Sequence, residues 1–490
     1  MSEKRYFKIF SDRHIIGSKN KYVGLFNQLD KMLAEDDKII KTELKKAGIA
    51  RNFLAADKNY LYTLILRSLN DFHDSKTFNL SIKEMLLSIE ILFHKGLYHE
   101  CLKLIAKAEV LAKECENFQL MIDVLMWKKR CSGYSLGLSK AAEVNLSIDN
   151  YILKLNNLKQ MTDLYYQSNL LQANGEKLAY SAILKKFKVL LNTPELKSEK
   201  DSLSFSARVY YHLIYSNYYH VIDDKKQELE QLRLLVNILD LSKTYATEYP
   251  LDYISIYNRL LSIEKHFTSS SFFDDIKTLK QFTDRIYIRK DVLVQRVFIH
   301  ISTHELEYYL LRNEFRKALT IANEIEQQTA MLNLDIEPYH LIYFYYLQAQ
   351  TLTFNGSYLK ALNFTNRILN DFKGSARPEV STKAELLNII IHYELRNYSL
   401  VVSLARHSLK ENLKRKGIAT LEEKLLLALI KISKNGRMAA KDELGILQPI
   451  VDDFEKVINK TIVAEQTLLS VCYKWTAAKT KRKLVSELWG

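Results

Sequence analysis

The feature that most constrains this chain is its shortage of residues that break helices. Only 13 Gly and 5 Pro occur in 490 residues, well below the roughly 7% and 5% of average usage. Sheets and irregular domains need turn residues at short intervals, whereas long helices need few of them. Residues that form helices or pack well between them (Leu, Ile, Lys, Glu and Ala) supply much of the remainder. The composition therefore predicts an all-α protein, in a chain too long for one ordinary core.

One local pattern recurs along the chain and indicates repeated helices. An aromatic residue is followed, after two residues, by a small or apolar residue, and further apolar or small residues stand three, four and seven positions beyond that one. These offsets lie on one face of an α-helix. Clear copies begin at Tyr98, Phe315, Tyr358 and Tyr398, and a weaker copy begins at Leu138.

A second helix is predicted in front of each copy. The apolar stripe from Ile82 to Phe93 ends just before Gly96, a residue type that suits the end of a helix. Each unit is therefore expected to be a helical hairpin, and the clear units recur about every 40 residues. The signature is lost between residues 180 and 300, where the helical composition persists. Weaker turns or unit boundaries are expected near Leu178, Tyr219, Phe273 and Met438.

The repeated sequence resembles the tetratricopeptide repeat (TPR), whose second helix carries the same succession of aromatic and small residues. The likeness covers the clear units, about 40% of the chain. It departs from the family in having a period near 40 instead of 34 and in lacking the closing proline in most units. The resemblance implies a TPR-like α-solenoid of helical hairpins that holds a peptide or protein on a concave surface. The segment from Lys58 to Tyr98 is also similar to large uncharacterised bacterial proteins of this helical type, which implies no function.

The chain is expected to contain three parts. Residues 1–75 form an N-terminal helical cap, residues 76–470 form the TPR-like helical repeat array, and residues 471–490 form a basic C-terminal helical tail. The cap is expected because a stack of repeats exposes an apolar face at its end, which must be covered.

The N-terminal part supports a second interpretation. It is predicted to hold helices over Lys21–Leu33, Asp36–Ala47 and Asn59–Phe72. Two short helices followed by a longer one are also compatible with a small helix-turn-helix unit that presents basic and aromatic groups to nucleic acid. The basic groups of such a unit are Arg51, Lys58 and Arg67.

Positive charge is concentrated at both ends of the chain. The formal net charge is +14, of which residues 1–70 carry +6 and residues 474–490 carry +4. A basic end attracts phosphate or an acidic partner, although Lys-rich surfaces also keep proteins soluble. The C-terminal run either contacts phosphate or forms a solvated last helical turn, where cations suit the helix dipole. Its cations are Lys479, Lys481, Arg482 and Lys483.

Catalytic and cofactor motifs are absent from the sequence. There is no G-x-x-x-x-G-K-[ST], no G-x-G-x-x-G and no G-x-S-x-G. His300 and His304 share a helix face, but Ile301 stands where a zinc-protease helix needs Glu. We therefore expect no catalytic residue, no metal site and no cofactor, and we interpret the protein as something other than an enzyme.

The cysteines and the N-terminus indicate the compartment. Cys101, Cys115, Cys131 and Cys472 show no C-x-x-C spacing and are expected to be buried thiols in a reducing compartment. The charged N-terminus is not followed by an apolar signal core, and no apolar run reaches the ~18 residues of a membrane span. A cytoplasmic location without membrane insertion is therefore expected.

Tyrosine is the abundant side chain with value for binding, since the chain holds 30 of them. Tyrosine is favoured at protein interfaces, but clustered tyrosines can equally be packing between helices with the hydroxyl at water. If a binding groove exists, the residues expected on or near it are Tyr211, Tyr215, Tyr308 and Tyr343.

Three functions remain open at this point. The first interpretation is a scaffold or adaptor that binds a protein or peptide, and it predicts a neutral-to-polar concave face lined by Tyr and Asn. The second is a nucleic-acid- or ribosome-associated factor that uses the basic ends, with an affinity that falls steeply as salt rises. The third is a regulator in which a ligand held by the repeats controls a helical N-terminal unit.

Overall fold

The computed structural model describes most of the chain. It covers residues 3–12, 21–31, 54–73, 77–173, 180–267, 271–285, 290–331, 338–372, 377–416, 421–434, 440–458 and 468–489. Every regular element within these ranges is helical and none is a strand, so the predicted all-α class is confirmed. No helix among them is both long and apolar enough to cross a membrane.

The chain divides into two compact units. The first unit comprises Met1–Ile214 with Ser242–Glu248, and the second comprises Tyr215–Leu241 with Tyr249–Gly490. These divisions differ from the three predicted parts. The boundary expected at residue 75 lies outside the described residues, and the one expected at 471 lies inside a helix, Leu468–Thr480.

The helices up to residue 248 are α1 (Glu3–Asp12), α2 (Lys21–Lys31), α3 (Leu54–His73), α4 (Phe78–His94), α5 (Tyr98–Glu114), α6 (Phe118–Ser135), α7 (Leu138–Ala173), α8 (Tyr180–Leu191), α9 (Phe205–Val221), α10 (Lys225–Leu241) and α11 (Lys243–Glu248). The helices after residue 248 are α12 (Pro250–Glu264), α13 (Ser271–Phe282), α14 (Lys290–Leu311), α15 (Phe315–Met331), α16 (Pro338–Phe354), α17 (Tyr358–Asp371), α18 (Pro378–Glu394), α19 (Tyr398–Lys416), α20 (Leu421–Lys434), α21 (Ala440–Ile458), α22 (Leu468–Thr480) and α23 (Val485–Trp489). Short 3₁₀ turns occupy Pro194–Leu196, Glu199–Asp201 and Thr283–Arg285.

The three N-terminal helices pack on one another. Helices α1, α2 and α3 share a small core of Phe7, Phe10, Leu25, Leu61 and Leu64. Two of the three predicted helices correspond to α2 and α3, while the one predicted over Asp36–Ala47 lies outside the described residues.

From α4 to α7 in the first unit, each helix packs on the next through a tight turn. Gly96 adopts a φ of +73°, and the N–H of the following Leu97 donates to the Leu92 carbonyl at 3.0 Å. The Leu92 carbonyl, near the end of α4, also accepts the Lys95 N–H at 3.1 Å, so both bonds close the turn. The Tyr98 ring then packs on Phe93 with ring centroids 5.3 Å apart. The predicted aromatic residue therefore fills the space beside the turn.

The second unit repeats this turn with other residues at the left-handed position. Asn313, Gly356 and Arg396 have φ values of 59°, 77° and 61°. In each case the next N–H donates to a carbonyl five residues earlier, at 2.8 or 2.9 Å. Arg482 occupies the same position between α22 and α23, with a φ of 56°.

The residues of the recurring pattern are buried where the pattern places them. The residue three positions after the first helical residue is fully buried in each clear copy, as Cys101, Ala318, Ala361 and Val401, all at 0% exposure. The four cysteines are free thiols, and all four are buried, which confirms the burial predicted from the sequence.

Two predicted features fall differently in the structure. The unit that begins at Leu138 is predicted to be a helical hairpin, but it starts with one long helix: α7 runs for 36 residues. No Gly or Pro interrupts the chain between Leu138 and Ala173. The turn expected near Tyr219 begins after α9 ends at Val221, and α13 begins two residues before Phe273. Leu178 and Met438 lie outside the described residues.

Candidate functional site

The structure separates the four tyrosines selected from the sequence. Tyr211 belongs to the first unit and Tyr215 to the second, and both are half-buried on α9. Tyr211 meets the edge of the His212 ring, and Tyr215 lies 6.5 Å from Tyr219 between ring centroids. These two ring contacts are with residues of their own helix, and Tyr211 also packs against the core around Met161 and Leu190.

Tyr343 takes part in a buried polar cluster in the second unit, here called the Glu307 cluster (Asn258, Lys265, His304, Glu307 and Tyr343). The Tyr343 hydroxyl donates to Glu307 Oε1 at 2.6 Å. Lys265 Nζ lies 2.5 Å from Glu307 Oε2, with both side chains less than a tenth exposed. His304 Nε2 lies 2.8 Å from Asn258 Oδ1. The cluster joins α12 and the residue after it to α14 and α16.

Burial and the neighbouring charges shift the pKa values of the side chains in the Glu307 cluster. Burial opposes ionisation of Glu307, but the Lys265 ammonium and the His304 ring outweigh burial and hold the pKa of the carboxyl well below its usual range. Burial lowers the pKa of His304. Burial and the facing Glu307 carboxylate raise the pKa of Tyr343. The cluster is therefore centred on the Lys265–Glu307 ion pair, and the neutral Tyr343 phenol donates to the carboxylate.

Tyr308 adjoins the same cluster through Arg312. The Arg312 guanidinium stands 3.5 Å from the centroid of the Tyr308 ring. It donates to the carbonyls of Lys265 and Phe267 at 2.9 and 2.7 Å. The Tyr308 ring also stacks on Phe272, with centroids 4.6 Å apart. Both faces of this tyrosine are thus committed to packing within the unit.

The histidine pair has no metal-binding arrangement in the described structure. His304 faces Asn258 and Glu307, as given above, while His300 is half-buried on the same helix. Within the described residues, no group of three or more His, Cys, Asp and Glu side chains is placed to hold a metal ion.

A second buried ionic cluster lies in the same unit, around Arg233. Its guanidinium contacts Glu264, lies 2.6 Å from Asp275 Oδ2 and donates to Ser271 Oγ at 2.9 Å. Burial and the neighbouring Glu264 raise the pKa of Asp275 to about 6, against the opposing effect of Arg233. These contacts tie α10, α12 and α13 together.

The basic residues selected at the two chain ends differ in burial and in their ion-pair partners. Lys58 and Arg67 lie on α3, half-buried and exposed respectively, and Arg51 lies outside the described residues. Lys479 is paired with Glu394 Oε2 at 2.9 Å and stands over the Tyr393 ring. At the C-terminal end, Lys481, Arg482 and Lys483 stay exposed and have no ion-pair partner in the described part of the chain.

These C-terminal cations follow a helix that is enclosed by the second unit. Every residue of α22 from Lys474 to Ala478 is buried. The Trp475 indole N–H donates to Glu394 Oε1 at 2.9 Å, and Lys474 Nζ lies 2.6 Å from Asn313 Oδ1. The predicted basic tail is therefore anchored by a packed helix.

The end of α22 borders a cleft of about 510 Å³ whose charges are balanced. Its lining contains three of the cations and three carboxylates. They are Lys479, Arg482, Lys483, Glu394, Glu443 and Glu487. This cleft is therefore not a uniformly basic site of the kind that binds phosphate.

A polar cleft whose lining carries one charged side chain, Glu385, lies between α17, α18 and α19. We call it the amide cleft, and its volume is about 500 Å³. Its polar lining consists of amides, hydroxyls, imidazoles and one carboxylate, and its apolar lining consists of Leu and Ile side chains. The lining residues are Asn366, Ile368, Leu369, Asn370, Ser381, Glu385, Asn388, Ile389, His392, Leu400, Leu404, His407 and Ser408. None of the four selected tyrosines is among them.

Only part of the polar capacity of the amide cleft is used within the chain. The buried Asn388 donates to Thr365 Oγ1 at 2.9 Å and to Asn366 Oδ1 at 3.2 Å. Burial lowers the pKa of His392, which keeps this imidazole neutral. Asn370 and His407 are exposed, and nothing in the described residues hydrogen-bonds to their side chains. The cleft can therefore offer both donors and acceptors to a neutral ligand.

Sequence reasoning did not select the residues of the amide cleft. A signal was present, since Asn366 follows Tyr358 by eight residues and lies on the flank of a helix whose buried face the pattern defines. The pattern did not show that α17, α18 and α19 open a cleft at this flank, because that depends on the spacing between helices.

Comparison of the chain with protein-family models, with curated protein sequences and with solved structures gives no match in any of the three.

Proposed function

We propose that this protein is a non-enzymatic cytoplasmic scaffold or adaptor that binds a protein or peptide segment on the surface of a TPR-like α-solenoid, with the amide cleft as the binding site. The amide-rich lining of the cleft, with Glu385 as its one charged side chain, is the observation that carries the proposal. The proposed solenoid and the proposed binding activity are supported by different observations.

The solenoid part of the proposal is supported by recurring backbone and burial positions. The left-handed residues Asn313, Gly356 and Arg396 are spaced by 43 and 40 residues, and Gly96 and Gly137 are spaced by 41. Repeats of one hairpin length place equivalent residues at equal intervals, and each repeat contacts its neighbours. We therefore expect the hairpins within each unit to stack in this manner with a period near 40 residues.

The binding part of the proposal is supported by the chemistry of the cleft. An extended peptide presents an N–H donor and a carbonyl acceptor at almost every residue. Asn side chains carry both functions on one group, so they can pair with peptide groups. The volume falls in the range of about 300–1,000 Å³ that accommodates compact ligands. The apolar wall, including Leu369 and Leu404, gives side chains of the segment a surface to cover.

The non-enzymatic part is supported by the environment of the cleft imidazole. Acyl-transfer chemistry pairs a base with a nucleophile within hydrogen-bond distance. The Nδ1 atom of His392 instead lies 3.1 Å from the Asn397 amide nitrogen. The Nδ1 atom of this imidazole is thus paired with an amide.

The test is selection of a phage-displayed random peptide library on the purified full chain. An enriched peptide is synthesised with a fluorophore and titrated by anisotropy. Replacing Asn366 and Asn370 by Ala removes side-chain partners for two peptide groups, so we expect binding at least about tenfold weaker. Asn323→Ala is the matched control, because Asn323 is likewise exposed and follows Phe315 by eight residues. It should bind the peptide as the wild type does.

Two results would contradict this assignment. The first is a library that yields no enriched peptide. The second is a peptide whose affinity is the same in the double variant and in the Asn323→Ala control. A segment that binds elsewhere on the chain would be consistent with the scaffold role but would show that the amide cleft is not the binding site.

A nucleic-acid-associated role is the alternative, and the exposed run Lys481–Lys483 is the observation that favours it. A short labelled duplex is added to the same titrations at rising salt. Affinity that falls steeply with salt and disappears when these three residues are changed to Glu would support the alternative. Absence of duplex binding at low salt would exclude it for this run.

A further inference from the structure

Helix α4 carries apolar side chains on the side that packs and also on the side that does not, where the exposed Lys83, Glu84 and Glu90 lie beside them. Ile82 and Ile89 face the core of the first unit at 0% exposure. On the opposite side, Leu80, Leu87 and Ile91 remain 36%, 64% and 59% exposed. A surface helix ordinarily shows one apolar stripe and one polar face, and a helix that is apolar all round is normally covered on all sides.

The position of α4 makes this exposure informative. It is the first helix of the succession α4 to α7, in which each helix packs on the next, and no earlier described helix forms a hairpin with it. Terminal repeats need a polar outer face or a cover. The N-terminal helices α1 to α3 keep their own core around Phe7, Leu25 and Leu61. Leu87 keeps almost two thirds of its surface exposed.

We propose that the outer face of α4 is a self-association surface, and that a second copy of this chain covers it through an antiparallel pairing of the two α4 helices. The face defined by Leu80, Lys83, Leu87, Glu90 and Ile91 is here called the α4 face. Lys83 and Glu90 are exposed on either side of Leu87. Neither forms an ion pair with any described residue of its own chain.

The charges of the α4 face select a copy of the same chain as its occupant. In a two-fold symmetric contact, residue i of one copy meets residue j of the other, and residue j meets residue i. A two-fold axis beside Leu87 brings Lys83 of one helix next to Glu90 of the other, and the reverse pair follows by symmetry. The leucines then meet between the two ion pairs. The face is therefore complementary to itself in both apolar pattern and charge.

The size of the α4 face sets the expected strength. A helix of 17 residues is about 26 Å long, so a single helix pair buries less surface than the roughly 1,600 Å² of a standard stable interface. The dimer should therefore be weak, and its population should rise with protein concentration over the micromolar range.

Sedimentation velocity of the purified full chain over a micromolar concentration series tests the association. The wild type should shift from monomer towards dimer as concentration rises. Leu87→Glu should remain monomeric across the series, because it places a charge at the centre of the contact. Leu146→Glu is the matched control: Leu146 is 76% exposed on α7, and its replacement should leave association unchanged. A wild type that stays monomeric throughout, or a Leu87→Glu variant that still dimerises, overturns the proposal.

A charge-reversal series then tests the antiparallel pairing. Lys83→Glu and Glu90→Lys each place like charges opposite one another, so each should weaken dimerisation by about tenfold or more. The variant carrying both changes restores opposite charges and should return to within about threefold of the wild type. Additive weakening in the double variant overturns the pairing. Circular dichroism should show wild-type helicity for all of these exposed substitutions.

Discussion

Glu307 shows at the residue scale how a buried charge is kept ionised. One carboxylate oxygen faces Lys265 Nζ at 2.5 Å, and the other accepts the Tyr343 hydroxyl at 2.6 Å. Removing Lys265 would leave an unpaired charge in a site that excludes water, which costs far more than the pair contributes in net stability. The three groups are therefore interdependent, and Tyr343, which the sequence suggests for a binding groove, has its hydroxyl committed to Glu307.

Replacing Glu307 by Gln should lower the free energy of unfolding by about 3–5 kcal/mol, because Lys265 is left buried without a counter-ion. Chemical denaturation followed by circular dichroism measures this loss. Replacing both partners, with Lys265→Met and Glu307→Leu, should cost less than the single change, since no unpaired charge remains.

The surface pair Lys360–Glu326 is the control for that measurement. Its N–O distance is 2.8 Å, but its side chains are 54% and 48% exposed. Glu326→Gln should change the unfolding free energy by less than about 1 kcal/mol. Equal losses at Glu307 and Glu326 would show that burial does not decide the value of these pairs.

At the scale of elements, the hairpin turns depend on one residue with positive φ. Gly96 and Gly356 fill this position without steric conflict at the backbone, whereas Arg396 holds a φ of 61° with a Cβ present. The left-handed conformation costs a non-glycine residue about 1–2 kcal/mol. The turn before α19 is therefore formed at a local cost, and the helices packed on each side of it maintain the conformation.

Arg396→Gly should stabilise the protein by about 0.5–1 kcal/mol, because relief of the left-handed strain exceeds the greater flexibility that Gly brings to the unfolded chain. Thermal and urea unfolding measure the change. Arg406→Gly supplies the matched comparison: Arg406 is exposed within α19, where Gly should cost about 1 kcal/mol. Loss of stability in both variants would mean that Arg396 makes contacts that outweigh its strain.

At the scale of the whole molecule, the chain holds separate cores. Ile105 belongs to a core of the first unit, while Phe315 and Phe354 belong to the large core of the second. The two phenylalanines meet edge to face, with centroids 5.2 Å apart. Substitutions in separate cores share no neighbours, so their energetic effects should be independent.

This independence predicts a contrast between two double variants. The stability losses from Ile105→Val and Phe354→Leu should add to within about 0.5 kcal/mol. The losses from Phe315→Leu and Phe354→Leu should deviate from their sum by at least about 0.5 kcal/mol, because the two rings share a contact. Urea unfolding of the singles and doubles measures both. Strong coupling between Ile105 and Phe354 would show that the two cores do not behave as separate cores.

The sequence alone determined the features that depend on residues close together in the chain. The shortage of Gly and Pro predicts the helical class, which the structure confirms. The recurring pattern also predicts where helices begin. The structure starts a helix at each of the five copies, namely Tyr98, Leu138, Phe315, Tyr358 and Tyr398. Helix formation and turn closure are local, so a short stretch of sequence carries the information they need.

Only the tertiary structure decided which side chains meet across helices. Lys265 and Glu307 are 42 residues apart, and Trp475 finds Glu394 across 81 residues. Hydrophobic periodicity shows which face of a helix is buried but contains no information on the helix that buries it. The enclosed α22, the amide cleft and the uncovered α4 face each follow from how helices distant in sequence pack, or fail to pack, and that is settled by the three-dimensional arrangement of the chain.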